Sequence, residues 1–474
     1  MQIKLVVLLL SFLLHGCGGV TKIHNPARDG MLLARDTVDQ ETQYPAQRRE
    51  PMNVAIFFDG TGNNLNSTTN VGRLHQLVVN QDRTDNVVFY TSGVGADRTG
   101  AIGLGTGLGF RKDVEAAYGF LSDHYQRPDD VIHFYGYSRG AFSARVLAGL
   151  VHTVGLVDLS KLTTQKMREQ FLTDLFTAYK FPARVPKAGD CTVRYNQLQE
   201  SIDLRRCATK EVRREYGIEV KPGARHDEVR ISIVGLWDTV ETLGLPNGQQ
   251  DPDETNWRYS DQICNIDNVF HAVSLHDNRA TAYTPILVTR NRLARDCEEA
   301  SDPKYRQVLF DRVEEVWFAG DHGQIGGTEN MGYLSGVSMN WMLDKVAYTG
   351  VGNKSLFPEG AKVYQQPLDF IKDAEGQSLL FRLFKRQLRT ISVYTQPDDD
   401  EHLNKGSATP CSVKLHISVK HRQNAAKTIS SKDRRLMDQK PMAELPIKVL
   451  SDQIEEIENA ASDGCPSIQI EYVD

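Results

Sequence analysis

The sequence predicts an α/β domain: a mostly parallel sheet with helices on both faces, a helical insertion and a C-terminal appendage. Three observations predict it. Short runs of Val, Ile, Leu and Phe recur at Asn53 to Phe58, Asn86 to Thr91, Val131 to Tyr135, Val229 to Trp237 and Glu315 to Gly320. Mostly apolar runs of this length suit strands covered on both faces. Segments of helical period separate several of them, which is the pattern of parallel sheets. Small polar residues and glycines follow the strands directly, as in Asp59-Gly60-Thr61-Gly62, Ser138-Arg139-Gly140, Asp238-Thr239 and Asp321-His322-Gly323. Ligands of open α/β sheets gather at the carboxyl ends of strands.

The chain opens with Lys4 and the apolar run Leu5 to Leu14, then His15-Gly16-Cys17. A short positive region, an apolar core and small residues describe a secretory signal over residues 1–17, too short for a membrane-spanning helix. Its ending fits a lipobox with Cys17 as the lipidated residue, although His15 is unusual there. Simple secretion and an uncleaved signal anchor are the alternatives. Residues 18–51 are polar and aperiodic, a linker that tethers the main domain. There are seven cysteines. Lipidation of Cys17 would leave an even number for disulfides, which an exported compartment permits. Cys191 with Cys207 closes the shortest loop; free buried thiols are the other reading. No C-x-x-C pair suggests a zinc or thiol-redox site.

The main domain spans residues 52–350. After the first strand, Asn70 to Leu77 reads as a helix. Gly103 to Gly109 is glycine-rich but has neither G-x-G-x-x-G spacing nor a G-K-[ST] ending, so it predicts no nucleotide site. Asp113 to Gln126 is helical. Residues 159–225 are densely charged and predict a helical insertion of the kind that covers a site and selects substrate. His271 to Arg290 predicts a helix and then extended chain, with a local ion pair between Asp277 and Arg279. Leu334 to Gly350 is an apolar-periodic helix. Beyond it, residues 351–474 form a C-terminal region of uncertain fold. There Cys411 to Arg422 alternates like a strand, Gln453 to Ala461 reads as an acidic helix, and Ser467 to Val473 as a final strand. The net charge of −6 and the absence of a basic stripe with interleaved aromatics exclude nucleic acid as an expected partner.

Val131 to Val151 carries the chemistry. It reads as strand, tight turn and helix, with Ser138 at the apex of G-x-S-x-G. A serine on a strained strand-to-helix turn projects its hydroxyl away from the sheet, and flanking glycines let strand and helix approach. Asp238 directly after a buried strand is where an acid could fix a histidine tautomer. His322, in a glycine-rich loop after a late strand, is the candidate base; His276 and His416 compete with it. The order Ser138, Asp238, His322 is that of the α/β-hydrolase fold. The Arg139 N–H at the helix start, with one from Gly60 or Thr61, would hold an oxyanion. Asp59 and Asp277 are accessory candidates; for both, a capping or ion-pair role competes with a functional one.

Four motifs occur in family order: F-F-D-G-T-G-N-N at Phe57 to Asn64, G-Y-S-R-G-A-F at Gly136 to Phe142, G-L-W-D-T-V at Gly235 to Val240, and V-W-F-A-G-D-H-G-Q-I-G-G at Val316 to Gly327. H-I-S-V-K-H-R at His416 to Arg422 resembles a further short segment. The chain thus resembles the α/β-hydrolase domain of the bacterial type VI secretion lipase effectors, in the phospholipase branch with a G-x-S-x-G nucleophile. The resemblance implies an acyl hydrolase of phospholipids, with Ser138 as nucleophile, Asp238 as acid, His322 as base, and no metal or organic cofactor. Its implied partners are a phospholipid membrane and an inhibitory or immunity protein. Two departures stand out. Gln324 occupies a place where the family often has an acid, H-x-D-x-G-G. A signal segment is unusual for an effector loaded from the cytoplasm. The expected location is exported and lipid-anchored, facing the periplasm or cell surface. An esterase acting on a different ester, and a membrane-tethered binding lipoprotein on a hydrolase scaffold, are the rival readings.

Overall fold

A computed structural model describes residues 50–93, 108–182, 197–240, 263–277, 279, 285–288, 293, 297, 302–328, 333–350, 355–368, 371, 389, 396–397, 411–428 and 468–474. The signal segment with Cys17, most of the tether, positions 103–107 of the glycine-rich loop and the acidic helix at 453–461 lie outside these residues.

The first two parallel neighbours fix the frame. β1 (Asn53–Phe58) and β3 (Val131–Tyr137) pair in register, with Phe58 opposite Gly136. Every residue of both strands is buried, which explains why their sequences lack polar alternation. On one face Val54, Ile56, Phe58, Ile132 and Phe134 enter one core. On the other, Ala55, Phe57, Tyr135 and Tyr137 enter a second. The sheet is therefore sandwiched, as the apolar runs predict.

β2 (Asn86–Thr91) is the half-buried edge beside β1. β4 (Ile233–Trp237), β5 (Val269–Ser274) and β6 (Val313–Phe318) continue the parallel set beyond β3. With β7 (Gln396–Pro397), β8 (Cys411–His416) and β9 (Ile468–Val473), the order is β2-β1-β3-β4-β5-β6-β8-β7, and β9 pairs with β8. The chain winds one way from β1 to β2 and the other way from β1 to β3, so the two strand ends border the switch point where open sheets hold ligands.

Helices cover both faces. α1 (Asn70–Val79), capped by the Thr69 hydroxyl, lies on the second core; α2 (Leu108–His124) and α3 (Arg139–Val154) lie on the first. All sixteen residues of α3 are buried, because a further layer lies over it. That layer is the insertion. Its helices α4 (Gln165–Lys180) and α5 (Gln197–Tyr216) bring Phe171, Leu175, Phe176 and Val212 into the first core. Burying a side chain of that size is worth about 2 kcal/mol. The described part of the insertion is thus a layer of the core, joined to the domain at the far end of α3, where Leu156 N–H donates to Ala224 O.

The residues after 225 depart from expectation in two places. Val269–Ser274 is a strand, where the sequence predicts the start of a helix from His271. A six-residue, mostly apolar segment has no decisive period, and here its neighbours β4 and β6 supply both backbone ladders. The segment from Cys411 is a strand only as β8 (Cys411–His416); α9 (Ile417–Thr428) begins at once. The turn between them is closed by Ser418 N–H donating to His416 Nδ1 at 3.2 Å.

α6 (Pro303–Asp311) precedes β6, α7 (His322–Gly326) comes after it, and α8 (Tyr333–Thr349) lays Val337, Met339, Trp341, Met342 and Leu343 on the second core. The region expected as an appendage continues the sheet. β8 joins β6 in parallel through Trp317 and Leu415. β9 (Ile468–Val473) pairs with β8 in parallel along its length, and β7 (Gln396–Pro397) is antiparallel to it. A disulfide joins Cys264 to Cys297. Cys207 is also disulfide-bonded; Cys191, its expected partner, lies outside the described residues. No helix among the described residues is long and apolar enough to cross a membrane.

Candidate active site

Level strand ends bring the predicted residues together. Tyr137 pairs with Trp237, and Trp237 with Ala272. Ser138 and Asp238 therefore leave neighbouring strands side by side, and the Ser138 N–H donates to Trp237 O at 2.9 Å.

Both residues sit in left-handed backbone, Ser138 at φ 58° and Asp238 at φ 44°. Such conformations cost a non-glycine residue energy and persist where surrounding structure imposes them. Two glycines make the serine turn feasible. A Cβ on Gly136 would come within 2.5 Å of Ala141 Cα, and one on Gly140 within 2.2 Å of Phe58 O. Here the helix start is pressed against the end of β1, and only the missing side chain permits it.

His322 opens α7, whose N-cap is Asp321. Its Nε2 lies 2.8 Å from Ser138 Oγ and its Nδ1 2.5 Å from Asp238 Oδ2. An ionised carboxylate can only accept, so the network assigns the proton to Nδ1 and leaves Nε2 as acceptor for the serine hydroxyl. All three side chains are buried: Ser138 is 4 % exposed, His322 6 % and Asp238 0 %. The ring lies against Tyr137, centroids 4.9 Å apart, and its backbone N–H donates to Asp277 Oδ2 at 3.2 Å. Asp277 also forms the predicted pair with Arg279, Nη2 to Oδ2 at 2.5 Å. Burial pushes the Asp277 carboxyl up, but Arg279, Arg389 and His322 together hold the group at about 2.

The surroundings of Asp238 are not legible in the sequence. Its Oδ1 accepts from Ser274 N–H at 2.9 Å and from Arg389 Nη1 at 2.7 Å; its Oδ2 accepts from Arg389 Nη2 at 2.9 Å. Burial would raise this carboxyl, but Arg389 and His322 together hold it far below the ordinary carboxylate range. Nothing in the spacing of R-L-F-K-R-Q-L-R-T marks Arg389, since it reaches the site from a distant stretch of chain.

The region after β1 is arranged differently from expectation. Gly60 N–H donates to Asp59 Oδ1 at 2.7 Å, so it is committed to that carboxylate. The Thr61 hydroxyl accepts from Arg139 Nε, which ties the β1 loop to the residue after Ser138. Asp59 Oδ2 accepts from Tyr90 O–H at 2.6 Å and Thr69 O–H at 2.7 Å. Thr69 in turn caps α1, so Asp59 joins β1, β2 and α1.

The competing histidines go elsewhere. His276 Nδ1 accepts from Gly320 N–H at 3.1 Å, and burial drives it down to about 3. His416 stacks on Phe318 at 4.6 Å, and burial lowers it to about 4. His276 is a buried core residue, and His416 is half-buried. Gln324 closes a capping box, its side chain accepting from Asp321 N–H at 3.2 Å. Among the described residues, no group of three or more His, Cys, Asp or Glu side chains could hold a metal ion.

Fold and site together define an α/β-hydrolase-like domain with a serine, a histidine and an acid linked at the strand ends. The chain belongs to the family described as "T6SS, Phospholipase effector Tle1-like, catalytic domain", whose model matches residues 52–345. It is 28 % identical over 246 residues to an uncharacterized protein of Saccharomyces cerevisiae, covering 48 % of this chain and 31 % of that one. Among solved structures, it is similar to an uncharacterized protein from Pseudomonas aeruginosa at 14 % identity and TM-score 0.36, covering 69 % of this chain and 50 % of that one. It is also similar to the Tle1 effector bound to the VgrG spike of the type 6 secretion system, at 17 % identity and TM-score 0.27, covering 60 % and 52 %. The chain thus spans 31 %, 50 % and 52 % of the length of these relatives.

Proposed function

We propose that this chain is a serine hydrolase that cleaves fatty-acyl esters of phospholipids, a phospholipase A type of reaction. The observation that carries the reading is the hydrogen-bonded series Ser138 Oγ, His322 Nε2, His322 Nδ1, Asp238 Oδ2, at 2.8 and 2.5 Å, in a member of a phospholipase effector family.

His322 Nε2 takes the hydroxyl proton as Ser138 Oγ attacks the ester carbonyl. Asp238 holds the Nδ1–H tautomer and stabilises the imidazolium without taking its proton. The N–H groups of Arg139 and Thr61 are the proposed oxyanion donors, Gly60 being bonded to Asp59. One such donor is worth about a hundredfold to a thousandfold in rate. His322 then protonates the leaving lysolipid, and water, activated by the same Nε2, releases the fatty acid.

The substrate surface is a phospholipid membrane. The signal segment with Cys17 supports an exported, lipid-anchored location, and a hydrolase held at its own membrane would require control by a lid, an inhibitory partner protein or delayed activation. Fatty-acid release from mixed phospholipid vesicles, by the chain lacking residues 1–17 beside Ser138→Ala, tests the activity. Release that vanishes in the variant is expected. Cleavage of short-chain esters alone would favour a different ester, and silence on every ester would favour the binding lipoprotein.

A further inference from the structure

The proposed triad ends on a carboxylate that is fully buried, and such a charge is expensive unless it is paired and hydrogen-bonded. Asp238 meets that requirement through His322, the Ser274 N–H and one side chain from outside the matched family domain. Arg389 lies beyond residue 345, is buried, and grips both carboxylate oxygens at 2.7 and 2.9 Å. Its Nη1 also donates to Ser274 O at 2.6 Å, while Ser274 N–H bonds Asp238 Oδ1. The planar fork therefore clamps the acid to the end of β5, a geometry that a lysine cannot reproduce.

We propose that Arg389 is a positioning residue for the hydrolytic site, so that the region following the family domain completes the site through a guanidinium–carboxylate clamp on Asp238. This rests on the triad reading above. Asp238 Oδ2 is shared between His322 Nδ1 and Arg389 Nη2. Arg389 consequently sets both the aim of the acid and the strength of its pull on the imidazole.

Among the described residues, the charged and titratable groups facing the Asp238–His322 pair are Arg389 itself, Tyr137 against the imidazole ring, Asp277 at the His322 backbone with its partner Arg279, and Asp321 at the start of α7. Removing the positive charge of Arg389 leaves the others in place. It raises the proton affinity of the pair, because a cation within contact distance disfavours protonation. A merely structural arginine would not move that property.

The test is the rate at which a fluorophosphonate labels Ser138 in the full chain, followed against pH and needing no knowledge of the lipid substrate. Arg389→Met is expected to slow labelling on the order of a hundredfold and to move the acid limb of the profile up by about one pH unit. Arg389→Lys, which keeps the charge and loses the fork, is expected to leave the limb in place and to slow labelling by about tenfold. Wild-type rate and profile in Arg389→Met would overturn the proposal. Should that variant not fold, wild-type labelling by Arg389→Lys would overturn it instead. Failure of the underlying triad reading is distinct: the wild-type chain itself would then not be labelled at Ser138.

Discussion

The carboxyl of Asp59 offers a prediction whose size can be worked out. It lies at the end of β1, 3 % exposed. Three donors favour its charged form: Gly60 N–H, Thr69 O–H and Tyr90 O–H. Burial outweighs them and pushes the group from its ordinary value of 3.8 up to about 6. Below about pH 4, folded and unfolded chains both hold the proton, and its contribution to stability is complete. As pH rises toward about 6, the unfolded chain loses the proton first, so the folded state is progressively disfavoured. Above about 6 both are ionised, and the loss levels off at about 3 kcal/mol. About 2 kcal/mol of it falls between about pH 4.5 and about pH 7.5. Asp59→Asn cannot ionise. Its amide can still accept from Gly60 N–H and donate to the two hydroxyls, which can rotate. Urea unfolding of both proteins across that range isolates the effect, because all other groups cancel in the difference. The variant should gain about 2 kcal/mol on the wild type as pH rises. A difference that stays flat, or falls, would refute the claim that burial governs this carboxyl.

Three further outcomes are expected. Asp238→Asn should lower turnover by about ten-thousandfold by presenting a donor to His322 Nδ1 and imposing the wrong tautomer; a loss below tenfold in a vesicle or short-ester assay would remove the acid from the mechanism. Gly140→Ala would set a methyl group against Phe58 O and Asp59 O, so a stability loss of about 1–3 kcal/mol is expected; unchanged thermal melting would contradict the close approach of α3 to β1. Cys264→Ser opens a disulfide spanning 33 residues, for which chain entropy gives about 3–4 kcal/mol; an equal denaturation midpoint with and without reductant in the wild type would count against it.

The sequence is most informative where short-range signals decide structure. The mostly apolar runs of β1 and β3 announce strands buried inside the sheet, and the similar run of β2 forms its half-buried edge. G-Y-S-R-G announces the elbow, since glycines flanking a serine between strand and helix leave the backbone few other arrangements. Ser138, Asp238 and His322 can be nominated because each lies at or just past the end of a strand, and parallel strands deliver such residues to one edge. Val269–Ser274 misleads because so short a segment, broken by His271, carries no decisive period; β4 and β6 on either side make it a strand. Tertiary structure alone decides the rest. Register sets Ser138 beside Asp238 and brings His322 to 2.8 Å from the hydroxyl. Folding turns the Gly60 N–H to Asp59, buries His276 in the core and stacks His416 on Phe318. It places β8 and β9 in the same sheet, and it sets Arg389 on Asp238 across 151 residues of chain. No local pattern can encode that last pairing: a buried charge selects its partner by distance in the folded molecule.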